Sequence, residues 1–155
     1  FDLASSSYVL NKGFSKIYQR HFVNLLRKSA KRKFRKIPPL FNPGNLNNIK
    51  TLRDFDERVT APLHGFKNAD HYYKESSCKN FIKKIRVPTL ILNSLDDPFL
   101  DKNTFPNTEE VPKMVKLEYL KKGGHAAFIS GNIFEKIGWI EYKIPFFFKT
   151  QLQKI

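Results

Sequence analysis

The 155 residues are one domain's worth of polypeptide, and 41% apolar content with fifteen Phe and six Tyr supports a modest, aromatic-rich core. A single cysteine, Cys78, excludes an internal disulfide, and no apolar run reaches the ~18 residues a membrane-spanning helix needs. A formal charge of +14 points either to anionic partners or to a solvated basic face.

The chain opens at Phe1 without a basic and apolar leader, which reads as a partial frame rather than a signal peptide. A short helix is predicted from Asp2 to Leu10, with Gly13 as the break. Phe14, Ile17, Tyr18, His21, Phe22, Leu25 and Leu26 then recur at helical spacing and predict an amphipathic helix over about residues 13–34. Pro38-Pro39 stops it, and Phe41-Asn42-Pro43-Gly44-Asn45 is turn chemistry. Thr51 to Arg58 predicts a short capped helix with acids in its first turns. Thr60 to Phe66 reads as a loop, Asn68 to Ser76 as another short helix, and Cys78 to Ile85 as a further turn or two.

Val87 to Asn93 is a continuous apolar run, as expected of a strand covered on both faces. Asp96-Asp97-Pro98 turns the chain. Val115 to Leu120 alternates and fits an edge strand. Gly123-Gly124-His125-Ala126-Ala127-Phe128 forms a loop, and a last helix is expected over about residues 134–149, bounded or kinked at Pro145. The order is helices, strand, turn, strand, loop, helix. That is an α/β pattern with too few strands for a doubly wound sheet.

Seven of the ten residues from Arg27 to Lys36 are cations. Such a run binds phosphates by counterion release or attracts an anionic membrane. It equally fits a solvated helix end whose cations complement the dipole. The segment around Cys78 carries no helix-entry or base signature, and the cysteine reads as structural or incidental. The four histidines show no metal-ligand spacing and no Gly-rich phosphate loop is present, so neither a metal nor a cofactor is expected.

The chemistry concentrates at two loops. Asp96 and Asp97 follow a parallel-type strand, where open α/β sheets build their sites. His125 lies 28 positions after Asp97, after the second strand. A carboxylate followed by a histidine in these places matches the last two members of an α/β-hydrolase triad. One carboxylate would hold the imidazole at Nδ1, and Nε2 would serve as general base. Asp-Asp-Pro is also ordinary turn chemistry, and on the residues alone either aspartate fits. No Gly-x-Ser-x-Gly occurs, and Gly13-Phe14-Ser15-Lys16-Ile17 lacks the closing glycine.

With these residues the chain resembles the C-terminal half of the YheT-like α/β-hydrolases, the group that includes the plant EMB8-like proteins and the animal abhydrolase-domain esterases and lipases. The similarity runs through Phe1-Asp2-Leu3-Ala4, Tyr18-Gln19-Arg20-His21-Phe22, and Thr51 to Cys78, besides the aspartate and histidine loops. The resemblance implies a carboxylic ester hydrolase of the short-chain esterase or acylglycerol lipase type, acting on an ester or lipid. It places the acid at Asp97, with Asp96 the alternative, and the base at His125. It also implies a cap or lid over residues 1–86 and the last core strands and helix over 87–155, with the nucleophile-bearing N-terminal half as the missing partner. Thr60 to Phe66 and Tyr72-Tyr73 would line the acyl pocket or pack the cap. The expected location is cytoplasmic or peripheral to a membrane, with Arg27, Lys28, Lys31, Arg32 and Lys33 touching anionic lipid and no specific nucleic acid bound. Two other readings stay open: a non-enzymatic basic module for RNA or anionic lipid, and an inactive truncated product.

Overall fold

The computed structural model describes residues 1–125, 128–131 and 136–153. The chain divides into two compact units, Phe1–Asn80 and Phe81–Ile155.

The first unit is helical. Helix α1 (Leu3–Leu10) starts where the Asp2 carboxylate accepts the Ser5 N–H at 3.0 Å. Helix α2 (Ser15–Lys36) follows. It ends at Ile37, whose extended backbone is what a residue before proline adopts. Gln19 is buried in α2 because both ends of its amide are used. Its Nε2 donates to Asn11 Oδ1 at 3.0 Å, and its Oε1 accepts from Leu52 N at 3.2 Å. Val23 and Ala30 of α2 pack with Leu46, Ile49, Phe55 and Val59 to make the apolar core of this unit.

Helix α3 (Leu52–Phe55) opens with the capping box that Thr51 and Asp54 announce, both hydrogen bonds being present. It runs into a π turn (Asp56–Thr60) and then into α4 (Ala61–Leu63). The expected loop at Thr60 to Phe66 is therefore helical as far as Leu63, and only its second half is a loop. The reason is the π turn. Ala61 N bonds back five residues to Asp56 O, which widens the coil just before Pro62 and lets a residue without an N–H continue it. The helix closes when Gly65 N bonds to Pro62 O and Phe66 N to Ala61 O. Asp56 accepts hydrogen bonds from Thr60 Oγ1 at 2.7 Å and from the Tyr73 hydroxyl at 2.8 Å. Tyr73 is thus buried against the rest of this unit. Helices α5 (Ala69–Ser76), capped by Asn68, and α6 (Lys79–Ile82) follow.

The second unit carries the sheet. Strand β1 (Thr89–Ser94) pairs in parallel with β2 (Val115–Leu120), Thr89 facing Val115 and Ser94 facing Leu120. β1 begins two residues later than its apolar run and is half-buried except at Ser94. Val87 lies outside the ladder and is exposed. Two 3₁₀ turns, Lys102–Thr104 and Thr108–Glu110, lie in the connection. Beyond it, β3 (Ile129–Gly131) and β4 (Lys136–Gly138) pair antiparallel, which the expected helix over 134–149 does not allow. Helix α7 (Trp139–Leu152) starts only after Gly138 and runs through Pro145 rather than stopping there. Phe134 and Glu135, at the start of that expected helix, lie outside the described residues, as do Ala126 and Ala127 of the histidine loop. Lys143 of α7 joins Glu118 of β2 at 2.6 Å. No described helix is long and apolar enough to cross a membrane.

Two outcomes follow for the helical unit. Phe55→Ala removes a buried ring from the core and should cost about 3–5 kcal/mol in chemical denaturation followed by circular dichroism. Burial raises the Asp56 pKa above the ordinary carboxylate value, despite its two hydrogen bonds. The folded protein therefore holds this proton when the unfolded chain has lost it, and stability should fall as pH rises from the unfolded pKa through the raised one. Asp56→Asn should flatten that part of the stability profile; an unchanged slope would show that Asp56 does not set it.

Candidate active site

Parallel pairing of β1 and β2 puts the C-terminal ends of both strands at one edge of the sheet. The turn after β1 holds Asp96 and Asp97; the loop after β2 holds Gly123, Gly124 and His125. The three site residues expected from the sequence are thereby brought together.

Asp97 and Asp96 do different things. The Asp97 side chain is 1% exposed and accepts at both oxygens. Its Oδ1 takes the Phe99 N–H at 2.8 Å, and its Oδ2 lies 2.9 Å from His125 Nδ1. Ion–dipole bonds of this kind offset the cost of removing a carboxylate from water. Asp96 is exposed and points its Oδ1 at the backbone of the other loop, accepting from Gly123 N at 3.0 Å and Gly124 N at 2.9 Å. The Gly124 N–H and the Gly123 N–H together hold its carboxyl below the usual range. Asp96 therefore clamps the loop that presents the histidine, while Asp97 touches the histidine itself.

His125 is half in water, its side chain 56% exposed, and the ring of Phe99 sits 4.7 Å from its own. With Nδ1 taken by Asp97, the histidine keeps Nε2 for another partner. Electrostatically this is a polarised imidazole: a buried negative charge behind it and solvent in front. Such an arrangement can take a proton at Nε2 and be stabilised as imidazolium.

The two glycines before His125 are needed for separate reasons. A Cβ on Gly123 would sit 2.8 Å from Phe128 Cδ1 and 3.1 Å from Ser94 Cβ, closer than packed carbons tolerate. Gly124 has φ +59, in the left-handed region. Phe128 is buried and bonds its N–H to Gly123 O at 3.1 Å, so the loop closes on itself around the glycine pair.

Two contributors escape a reading by motif. Ser94, the last residue of β1, is buried and its hydroxyl donates to Gly124 O. Phe99 supplies both a backbone donor to Asp97 and a ring against His125. A polar side chain ending an apolar strand was the available signal for Ser94; for Phe99 there was none beyond proximity to the aspartates. Among the described residues no group of three or more His, Cys, Asp or Glu is placed to hold a metal ion.

The chain has relatives among known proteins. The chain is 37% identical over 155 residues to "Putative esterase YheT" of Escherichia coli, a match covering 99% of this chain and 46% of that protein. It is 40% identical over 94 residues to Medium-chain fatty acid ethyl ester synthase/esterase 2 of Saccharomyces cerevisiae, covering 58% of this chain and 21% of that protein. It is 35% identical over 83 residues to Phospholipase ABHD3 of Homo sapiens, covering 53% and 20%. The chain thus spans less than half the length of the relatives it matches. No family model matches, and no solved structure matches. The relatives' names join esterase to lipase, and a parallel strand pair together with helices fits part of an α/β fold. On these grounds the chain belongs with the YheT-like α/β-hydrolases and matches part of their length.

Proposed function

We propose that this chain supplies the acid and the base of a serine-type carboxylic ester hydrolase, with Asp97 as acid and His125 as base. The observation that carries the proposal is the buried Asp97 carboxylate 2.9 Å from Nδ1 of a histidine half open to solvent. In that pairing Nδ1–H donates to Asp97 Oδ2, which fixes the tautomer and leaves the Nε2 lone pair for a hydroxyl. A Ser from outside these 155 residues loses its proton to Nε2 as it attacks the ester carbonyl. The imidazolium returns the proton to the departing alkoxide, leaving an acyl-serine. Water then repeats the sequence and releases the carboxylic acid. No cofactor enters any step.

The substrate class follows from the names of the relatives, which join ethyl ester, phospholipid and ester hydrolysis. The proposed substrate is an ester of a fatty acyl chain. Residues 1–86 are proposed as the cap or lid of that hydrolase, and the cytoplasm or the surface of a membrane as its location. Removing the nucleophile leaves little catalysis, so activity belongs to the protein that joins this chain to its nucleophile half.

In that whole protein, assayed on short acyl esters, Asp97→Asn should lower kcat by about 10³–10⁴-fold. His125→Ala should do at least as much. Asp96→Ala should cost only about 10–100-fold, since it loosens the loop rather than the proton path. Should Asp96→Ala prove the crippling change and Asp97→Asn the mild one, the roles are reversed and the assignment fails. Gly123→Ala should also depress kcat, by about 10-fold or more, because Phe128 or Ser94 must move to admit the methyl group.

A further inference from the structure

Helix α2 has a second face that neither the core nor the site uses. From residue 3 to residue 53 the chain contains twelve Lys and Arg and not one Asp or Glu. Seven of those cations lie between Arg27 and Lys36, and none of the seven forms an ion pair among the described residues. The structure divides them. Arg27 and Lys31 turn to one side, where both donate to the Asn47 side chain, at 3.0 and 2.6 Å. Lys28, Arg32, Lys33, Arg35 and Lys36 are exposed.

The exposed cations share their side of the helix with exposed apolar groups. At about 100° per residue, Phe14, Leu25, Arg32 and Lys36 fall along one line of the surface, and Ile17, Lys28 and Arg35 along a second about 60° away. Both lines run from apolar to basic. Phe14 is 89% exposed and Leu25 50%. Just past the helix end, Ile37 and Leu40 are exposed as well, Leu40 completely. The buried residues Gln19, Val23 and Ala30 lie on the opposite side.

We propose that this face of α2 docks the protein on an anionic lipid surface, with Lys28, Arg32, Arg35 and Lys36 at the head groups and Phe14, Ile17 and Leu25 entering the interface. A second copy, a nucleic acid, a bilayer and the nucleophile half of the same protein compete for such a face. The last would leave the whole protein binding neither type of vesicle, and the chemistry separates the others. A second copy of this chain would set cations against cations. A nucleic acid would satisfy the cations and leave the apolar row in water. A bilayer with anionic lipid takes both, because its surface is negative and its interior apolar within the reach of one side chain. The surface deepens the peripheral placement given above and rests on it. It does not rest on the Asp97–His125 pair.

The test is co-sedimentation of the whole protein with vesicles of equal parts phosphatidylcholine and phosphatidylglycerol, and with vesicles of phosphatidylcholine alone. Binding is expected to the first and not to the second, and should be lost when salt is raised from about 0.1 M to about 0.5 M. The triple variant Lys28→Glu, Arg32→Glu, Arg35→Glu should bind at least about 100-fold more weakly. The double variant Phe14→Ser, Leu25→Ser should bind about tenfold more weakly. All five positions are exposed, so both variants should keep the wild-type circular dichroism spectrum and the wild-type rate on a short, soluble ester. Asp97→Asn should bind vesicles as the parent does; loss of activity and loss of docking are thereby read separately. Equal binding to both vesicle types, binding untouched by the triple variant, or capture of a single-stranded oligonucleotide with no vesicle binding would each overturn the proposal.

Discussion

A carboxylate almost wholly out of water has to be met by donors, and Asp97 is met by two. One is the N–H of Phe99, two residues on in its own turn. The other is a ring nitrogen on a loop 28 residues away. The first is local and would form in any Asx-type turn. The second exists only because β1 and β2 lie parallel and in register, so that both loops leave the sheet at the same end. Everything else in this corner supports that one bond. Asp96 holds the backbone of the histidine loop, Ser94 holds its carbonyl at Gly124, and Phe128 packs where a side chain on Gly123 would otherwise stand.

This corner also shows how neighbouring acids on one turn acquire opposite environments. Successive residues in a tight turn point in different directions. Asp97 turns inward, behind the imidazole, and Asp96 outward along the loop backbone. Their partners differ accordingly. Asp96 meets backbone N–H groups, which hold the loop; Asp97 meets a side chain, which it orients.

Much of the fold was legible because its signals are local. Thr51 and Asp54 sit three apart and form the box such spacing announces. The apolar period of α2 and the proline pair after it fixed that helix to within two residues of its observed bounds. The two strands and the loops after them were legible from their composition, and with them the neighbourhood of Asp96, Asp97 and His125. What stayed hidden depends on pairing or on compensation. β3 and β4 are three residues each, too short for alternation to register, and their sequence passes equally for helix. The helical turn through Pro62 fell inside a stretch read as loop because nothing in the sequence marks the π turn that accommodates it. A boundary or a kink was expected at Pro145; the helix has no boundary there and continues with one ladder bond fewer. The difference between Asp96 and Asp97 is a matter of direction, which adjacency in sequence cannot encode.

The parallel pairing has a kinetic consequence. Each helix of the first unit is held by hydrogen bonds between near neighbours along the chain. The sheet is not: Thr89 meets Val115, 26 positions later, and the connection is made of turns rather than a pre-formed crossover helix. Closing a loop of that length costs about 3 kcal/mol of chain entropy before the first ladder bond repays any of it. Contacts that demand such closure form slowly relative to helical turns. The Asp97–His125 bond, which lies beyond the far end of that ladder, is therefore made only after the slowest kind of step this unit contains, and a nascent chain carries its helices well before it carries its site.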